Sequence, residues 1–144
     1  MRRRVFAFAG LACLAAPLCA EQLTQKFDYK PSHGVQEIPF SLGKVRIPRI
    51  VFRPGHQAGG PLKRSSGECA VRVENDGETP VSVGVAIVVS DADGNVVAAG
   101  TGGTRIGWLR PGERDTSTIR FAYVYRNFTK AKTFLITMEV QGKE

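Results

Sequence analysis

Apolar and polar residues alternate through most of the second half of this 144-residue chain. Val81, Val83, Val85, Ile87 and Val89 share one phase, and Ser82, Gly84, Ala86, Val88 and Ser90 the other. A period of two sets successive side chains on opposite faces of a strand, so 81–90 is expected to bury its larger residues on one side. The same alternation predicts strands over 35–42, 45–52, 69–75, 95–101, 106–109, 116–125 and 133–140. Asn75-Asp76-Gly77, Asp93-Gly94-Asn95 and Arg110-Pro111-Gly112-Glu113 separate several of these runs with residues that favour tight turns. Residues 54–67, with Gly55, Gly59, Gly60, Pro61 and Gly67, read as a long loop.

Within 45–52, Val45 and Ile47 fall on one face and Arg46 on the other, and Pro48 then interrupts the alternation. Proline cannot donate to a ladder, so this strand is expected at an edge or with a bulge, with Ile50 and Phe52 resuming the buried face beyond it. Residues 21–34 are polar apart from Phe27 and Tyr29 and read as a lead-in or edge segment. Beyond the first twenty positions no window sustains an apolar period of three to four residues. The expected fold is therefore all-β, an immunoglobulin-like antiparallel β-sandwich of about seven strands.

The first twenty residues carry a different signal. Met1-Arg2-Arg3-Arg4 is a cationic start, 5–18 is apolar but too short to span a bilayer, and Leu18-Cys19-Ala20 offers a cleavage site. The expected organisation is a signal peptide at 1–20, a lead-in at 21–34 and one sandwich domain at 35–144, exported to the periplasm or the extracellular space. An uncleaved anchor fits less well, because Pro17 breaks a helix at that point, so no transmembrane span is expected after cleavage. Leu18 before Cys19 is also a poor match to a lipidation site. Cleavage removes Cys13 and Cys19 and leaves Cys69 as the sole thiol, in phase with Val71 and Val73 and hence expected in the core.

Cleavage also changes the charge. Twenty basic and thirteen acidic residues give +7, and losing Arg2, Arg3 and Arg4 leaves seventeen against thirteen, or +4. The surplus is local: Lys44, Arg46, Arg49, Arg53, Lys63 and Arg64 occur with no acid between them, whereas 68–144 holds nine bases and ten acids.

Val71-x-Val73-x-Asn75, the valine-rich strand ending in Ser90-Asp91-Ala92-Asp93-Gly94, and Leu109-x-Pro111-Gly112-Glu113 ahead of Phe121 together resemble the FxLYD-type immunoglobulin-like domains of bacterial envelope proteins. The resemblance covers 69–140. Where that group carries aromatic-Leu-Tyr-Asp, this chain has Val88-Val89-Ser90-Asp91. The resemblance implies a non-catalytic accessory or interaction module and transfers no active-site residues.

Candidate chemistry is sparse. His33 and His56 lie in separate glycine-bearing loops, and no G-x-S-x-G elbow is present. His33, His56, Cys69 and Met138 occur singly, without the paired spacing of a metal site. Asp91-x-Asp93-x-Asn95 has the start of a calcium loop, but Val96 and Gly102 stand where glycine and glutamate are needed, so a hairpin turn is expected. Asn127-Phe128-Thr129 matches a glycosylation sequon, which matters only in a eukaryotic secretory route. No catalytic, cofactor or metal residue is assigned, and no enzyme activity is expected. The competing function is a small metal-handling protein or hydrolase built around His56.

Lys44, Arg46, Arg49 and Arg53, joined by Lys63 and Arg64 across the long loop, form the one candidate binding region. They are read either as a solvated edge that deters aggregation or as a band that meets an envelope protein or an anionic envelope surface. Nucleic acid is not expected, because the band has no interleaved aromatics on which bases would stack. Trp108, the only tryptophan, is expected to plug one end of the sandwich.

Overall fold

The computed structural model describes residues 20–53, 67–105, 107–121 and 128–143. Among the described residues there are eight strands: β1 (Glu21–Asp28), β2 (Val35–Leu42), β3 (Val45–Arg53), β4 (Glu68–Asn75), β5 (Val81–Ser90), β6 (Val96–Gly103), β7 (Arg114–Arg120) and β8 (Thr133–Gly142). They form two antiparallel four-stranded sheets, ordered β1-β8-β5-β6 and β2-β3-β4-β7. The alternation is the reason they pack as a sandwich, since each strand turns its larger apolar phase toward the other sheet.

The connectivity is that of an immunoglobulin-like domain. β3, β4 and β7 take the A, B and E positions, and β6, β5 and β8 take C′, C and F. The N-terminal strand β1 stands beside β8, in the place of the last strand of that key. Of the two readings of 21–34, lead-in or edge segment, the structure gives the second: β1 is an edge strand of the sandwich. It was hard to see because only Leu23 and Phe27 point inward along it.

Pro48 does bulge its strand, but β3 is interior, paired with β2 on one side and β4 on the other. The register slips between Arg46 and Arg49 of β3 against β4, and between Glu37 and Phe40 of β2 against β3. Ile47 and Ile50 are both fully buried, so the extra residue lets the inward phase resume after the proline. The reading of the basic strand as a sheet edge is therefore corrected: it is a bulged inner strand. Of the segment 106–109, residue 106 lies outside the described residues and 107–109 form no strand. Leu109 makes an isolated bridge with Val81, and Trp108 beside it is 38% exposed, not a core plug.

Two ends of the core are built differently. At one end Phe27, Phe40, Phe52 and Phe134 interlock with ring centroids 5.3–6.1 Å apart, and Tyr29 meets Phe52 edge-on at 4.9 Å. At the other, the buried Asn75 amide donates to the carbonyls of Thr79 and Leu109, both at 2.9 Å, and its Oδ1 accepts the Gly77 N–H. One side chain thus joins two turns, leaving no buried amide atom unmet. Along the β6 and β7 edges the sheets close so tightly that a Cβ on Gly102 would stand 2.7 Å from Ser117 Oγ, the atom that accepts the Gly103 N–H.

Candidate functional site

Residues directly opposed in an antiparallel ladder share a face, so the register of β2-β3-β4-β7 fixes what its outer surface presents. One row reads Ser41, Arg46, Glu74, Arg114; the next Glu37, Arg49, Arg72, Thr116. A third reads Val35, Val51, Ala70, Thr118, and a fourth places Arg53 beside Glu68 and Arg120. Six arginines meet three glutamates on this face, with Asp76 just past the end of β4, and none of the four strands contains a lysine. The surplus is two to three positive charges, depending on whether Asp76 is counted. The outer face of the other sheet has no arginine, and its middle row is Thr24, Thr137, Ala86 and Thr101.

Glu74 organises the first row. Its side chain is almost fully buried, and Arg46 Nη2 reaches it at 2.6 Å, Arg72 Nε at 2.8 Å and Arg114 Nε at 3.6 Å. Arg46 Nε also meets Asp76 at 2.7 Å, and Arg53 Nη1 donates to Glu68 at 3.0 Å. These pairs hold four guanidinium groups in set orientations over the sheet. Arg49 and Arg120 have no carboxylate within 4 Å among the described residues, and Arg49 lies directly opposite Arg72. On its other side Arg49 stands opposite Glu37 of β2, with which it makes no ion pair within 4 Å, so its guanidinium remains open to an added anion.

Beside Arg49 the sheet is opened. Pro39 in β2 and Pro48 in β3 both lack the N–H that would close the ladder, and the two strands slip register there. The result is an open depression of about 500 Å³, walled chiefly by apolar groups and bounded by Glu37, Pro39, Ser41, Arg46 and Pro48.

Of the residues singled out from the sequence, the structure brings Arg46, Arg49 and Arg53 onto this face. Lys44 lies in the β2–β3 turn instead, where its carbonyl accepts the Asp76 N–H. Lys63, Arg64 and His56 lie outside the described residues. Arg72, Arg114 and Arg120 were missed; their outward phase is visible in sequence, but their adjacency to β3 depends on which strands neighbour which.

The other candidates are placed as follows. Exposed His33 takes a left-handed φ of 51° before Gly34, and its Nδ1 lies 3.3 Å from Ser32 Oγ. Cys69 is fully buried facing the core, and burial, helped by the Glu68 charge, pushes its thiol up to about 12. Asp91 Oδ1 accepts the N–H groups of Asp93 and Asn95 at 3.0 and 2.9 Å, so its loop is a closed hairpin turn with Gly94 at φ 83°. The side-chain hydrogen bond from Asn95 holds the Asp91 carboxyl below its usual range. Among the described residues no group of three or more His, Cys, Asp or Glu side chains is arranged to hold a metal ion.

No protein-family model matches the chain, and no curated protein is similar to it. What the surface can do chemically must therefore be taken from its own residues. A fixed, lysine-free array of guanidinium groups is suited to planar oxyanions, which it meets with paired N–H donors.

Proposed function

We propose that the chain is an exported, non-catalytic binding module that engages an anionic partner through the outer face of β2-β3-β4-β7. The observation that carries this is the surplus of guanidinium groups on one sheet face, with Arg49 and Arg120 making no ion pair within 4 Å among the described residues. The signal-like start of the chain and the resemblance to FxLYD-type envelope domains support a periplasmic or extracellular setting. Arginines steer an acidic partner from a distance and then bind it with geometry, so complex formation is expected to be fast and salt-sensitive.

Retention on immobilised poly-L-glutamate, followed through a sodium chloride gradient, tests this. The double variant Arg49→Gln/Arg120→Gln removes two charges that make no ion pair and is expected to elute at distinctly lower salt than the wild type. Lys26→Gln/Lys132→Gln removes the same charge elsewhere and is expected to elute between the wild type and the arginine variant, close to the wild type. Equal shifts from both variants would reduce the effect to net charge and overturn the assignment to this face.

A further inference from the structure

The geometry points to an acidic polypeptide segment with an apolar side chain as the occupant of the arginine face, the apolar group entering the depression between Pro39 and Pro48 while its flanking carboxylates meet Arg49. This rests on the proposed function and narrows it to one class of partner. Three observations support it.

First, the recess and a guanidinium without an ion pair are adjacent: Arg49 follows the lining residue Pro48 directly, Arg46 on the rim is held in place by Glu74 and Asp76, and Glu37, opposite Arg49, is the one acid on the rim. A ligand that fills the recess has its neighbouring groups within reach of Arg49. Second, the depression, at about 500 Å³, lies within the roughly 300–1,000 Å³ range of binding sites and has mainly apolar walls, which an anion alone would leave unfilled. Third, the four strands of the face carry no exposed aromatic residue and no lysine. A bilayer surface has no protruding apolar group to enter a recess set among fixed arginines, and interfacial anchoring favours aromatic belts. Alternating carboxylates and an apolar anchor on one extended chain match both features at once.

The test is fluorescence anisotropy of the purified full chain with two fluorescein-labelled peptides, Asp-Glu-Glu-Leu-Glu-Asp and the same peptide with serine for leucine. The leucine peptide is expected to bind at least about tenfold more tightly, the scale expected for burying one aliphatic side chain. Arg49→Gln is expected to weaken both peptides. Ser41→Phe, which narrows the recess, is expected to abolish the preference for leucine while leaving the serine peptide bound. Intermolecular nuclear Overhauser effects from the leucine methyls to Pro39 and Pro48 provide a readout on the wild-type protein, independent of any variant that fails to fold. Equal affinity for the two peptides would overturn the anchored-peptide inference and leave the proposed function standing. Displacement of the leucine peptide by inorganic phosphate, or by phosphatidylglycerol vesicles at matched charge, more readily than by its unlabelled form would assign the face to free phosphate or to lipid and overturn the inference. Absence of binding to either peptide, together with no retention on poly-L-glutamate, would overturn both readings.

Discussion

Glu74 and Arg46 meet at 2.6 Å across the outer face of β3 and β4, with the carboxylate buried and the guanidinium half-exposed. Arg72 and Arg114 approach the same carboxylate, so one acid restrains three bases. Such a hub affects stability and binding in opposite directions. In Glu74→Gln the three arginines lose their shared counter-charge, and the fold is expected to lose about 1–3 kcal/mol in denaturant melts. The same variant gains positive potential on the face and is expected to elute from poly-L-glutamate at higher salt. A variant that is both destabilised and less retained would contradict the clamp.

Alkaline pH tests the burial of Cys69 and Tyr29. Burial raises both groups to about 12, from 9.0 for the thiol and 10.0 for the phenol. A group raised in the folded state contributes stability that is fully present below its unfolded pKa and lost as pH rises through the folded one. Stability is therefore expected to fall from about pH 9 toward pH 12, first through the thiol and then the phenol. Cys69→Ala is expected to remove the first part of that slope while lowering stability at neutral pH. At pH 8 the thiol is expected to resist 5,5′-dithiobis(2-nitrobenzoate) until the chain unfolds; rapid labelling of the native protein would show that it is accessible.

Closure of the sandwich at β6 depends on missing side chains. A Cβ on Gly100 would lie 2.6 Å from the Arg120 carbonyl oxygen and 2.7 Å from Ile119 Cγ2. Backbone cannot yield as a flexible side chain can, so Gly100→Ala is expected to cost roughly 1–3 kcal/mol and lower Tm. Gly94→Ala, where the added carbon meets open space but φ is 83°, is expected to be destabilised through backbone strain alone. Gly100→Ala melting at the wild-type temperature would show that β6 and β7 stand further apart.

The buried amide of Asn75 gives a prediction at the other end of the core. Asn75→Ala removes the amide donor to the Thr79 carbonyl, leaves the Leu109 carbonyl with the Val81 N–H alone, and frees the Gly77 N–H. The expected loss is about 2–3 kcal/mol, with hydrogen exchange accelerated at Val81 and Leu109, whose backbones bond to each other. Stability within experimental error of the wild type would mean that those carbonyls find other partners.

Much of this architecture was legible because valines carry the two-residue period. β2 and β5 have the bounds that alternation alone assigns, 35–42 and 81–90, and the inward phase of β8 through Phe134, Ile136 and Met138 follows from the same rule. Local pattern failed where tertiary context decides. β1 needs only two inward anchors because it lies at an edge, and Trp108 stays exposed because Leu109 is captured by Val81 and Asn75 without forming a strand. Lys143 Nζ lies 6.0 Å from the Trp108 ring centroid, a contact between distant parts of the chain that no local period predicts. Half of the arginine face was visible as a run of bases in β3. The other half, Arg72, Arg114 and Arg120, is contributed by β4 and β7, and sequence spacing does not reveal that those strands lie beside it.

Under the proposed function, one sheet face, and not the net charge of the protein, recognises an acidic partner. The most direct measurement follows arginine Nε–Hε and backbone amide resonances during titration with poly-L-glutamate. Shifts are expected at Arg49, Arg120 and the amides of β2, β3, β4 and β7, with Thr24, Thr101 and Thr137 on the opposite face unchanged. Perturbations centred on the β1-β8-β5-β6 face, or spread evenly over the whole surface, would contradict it.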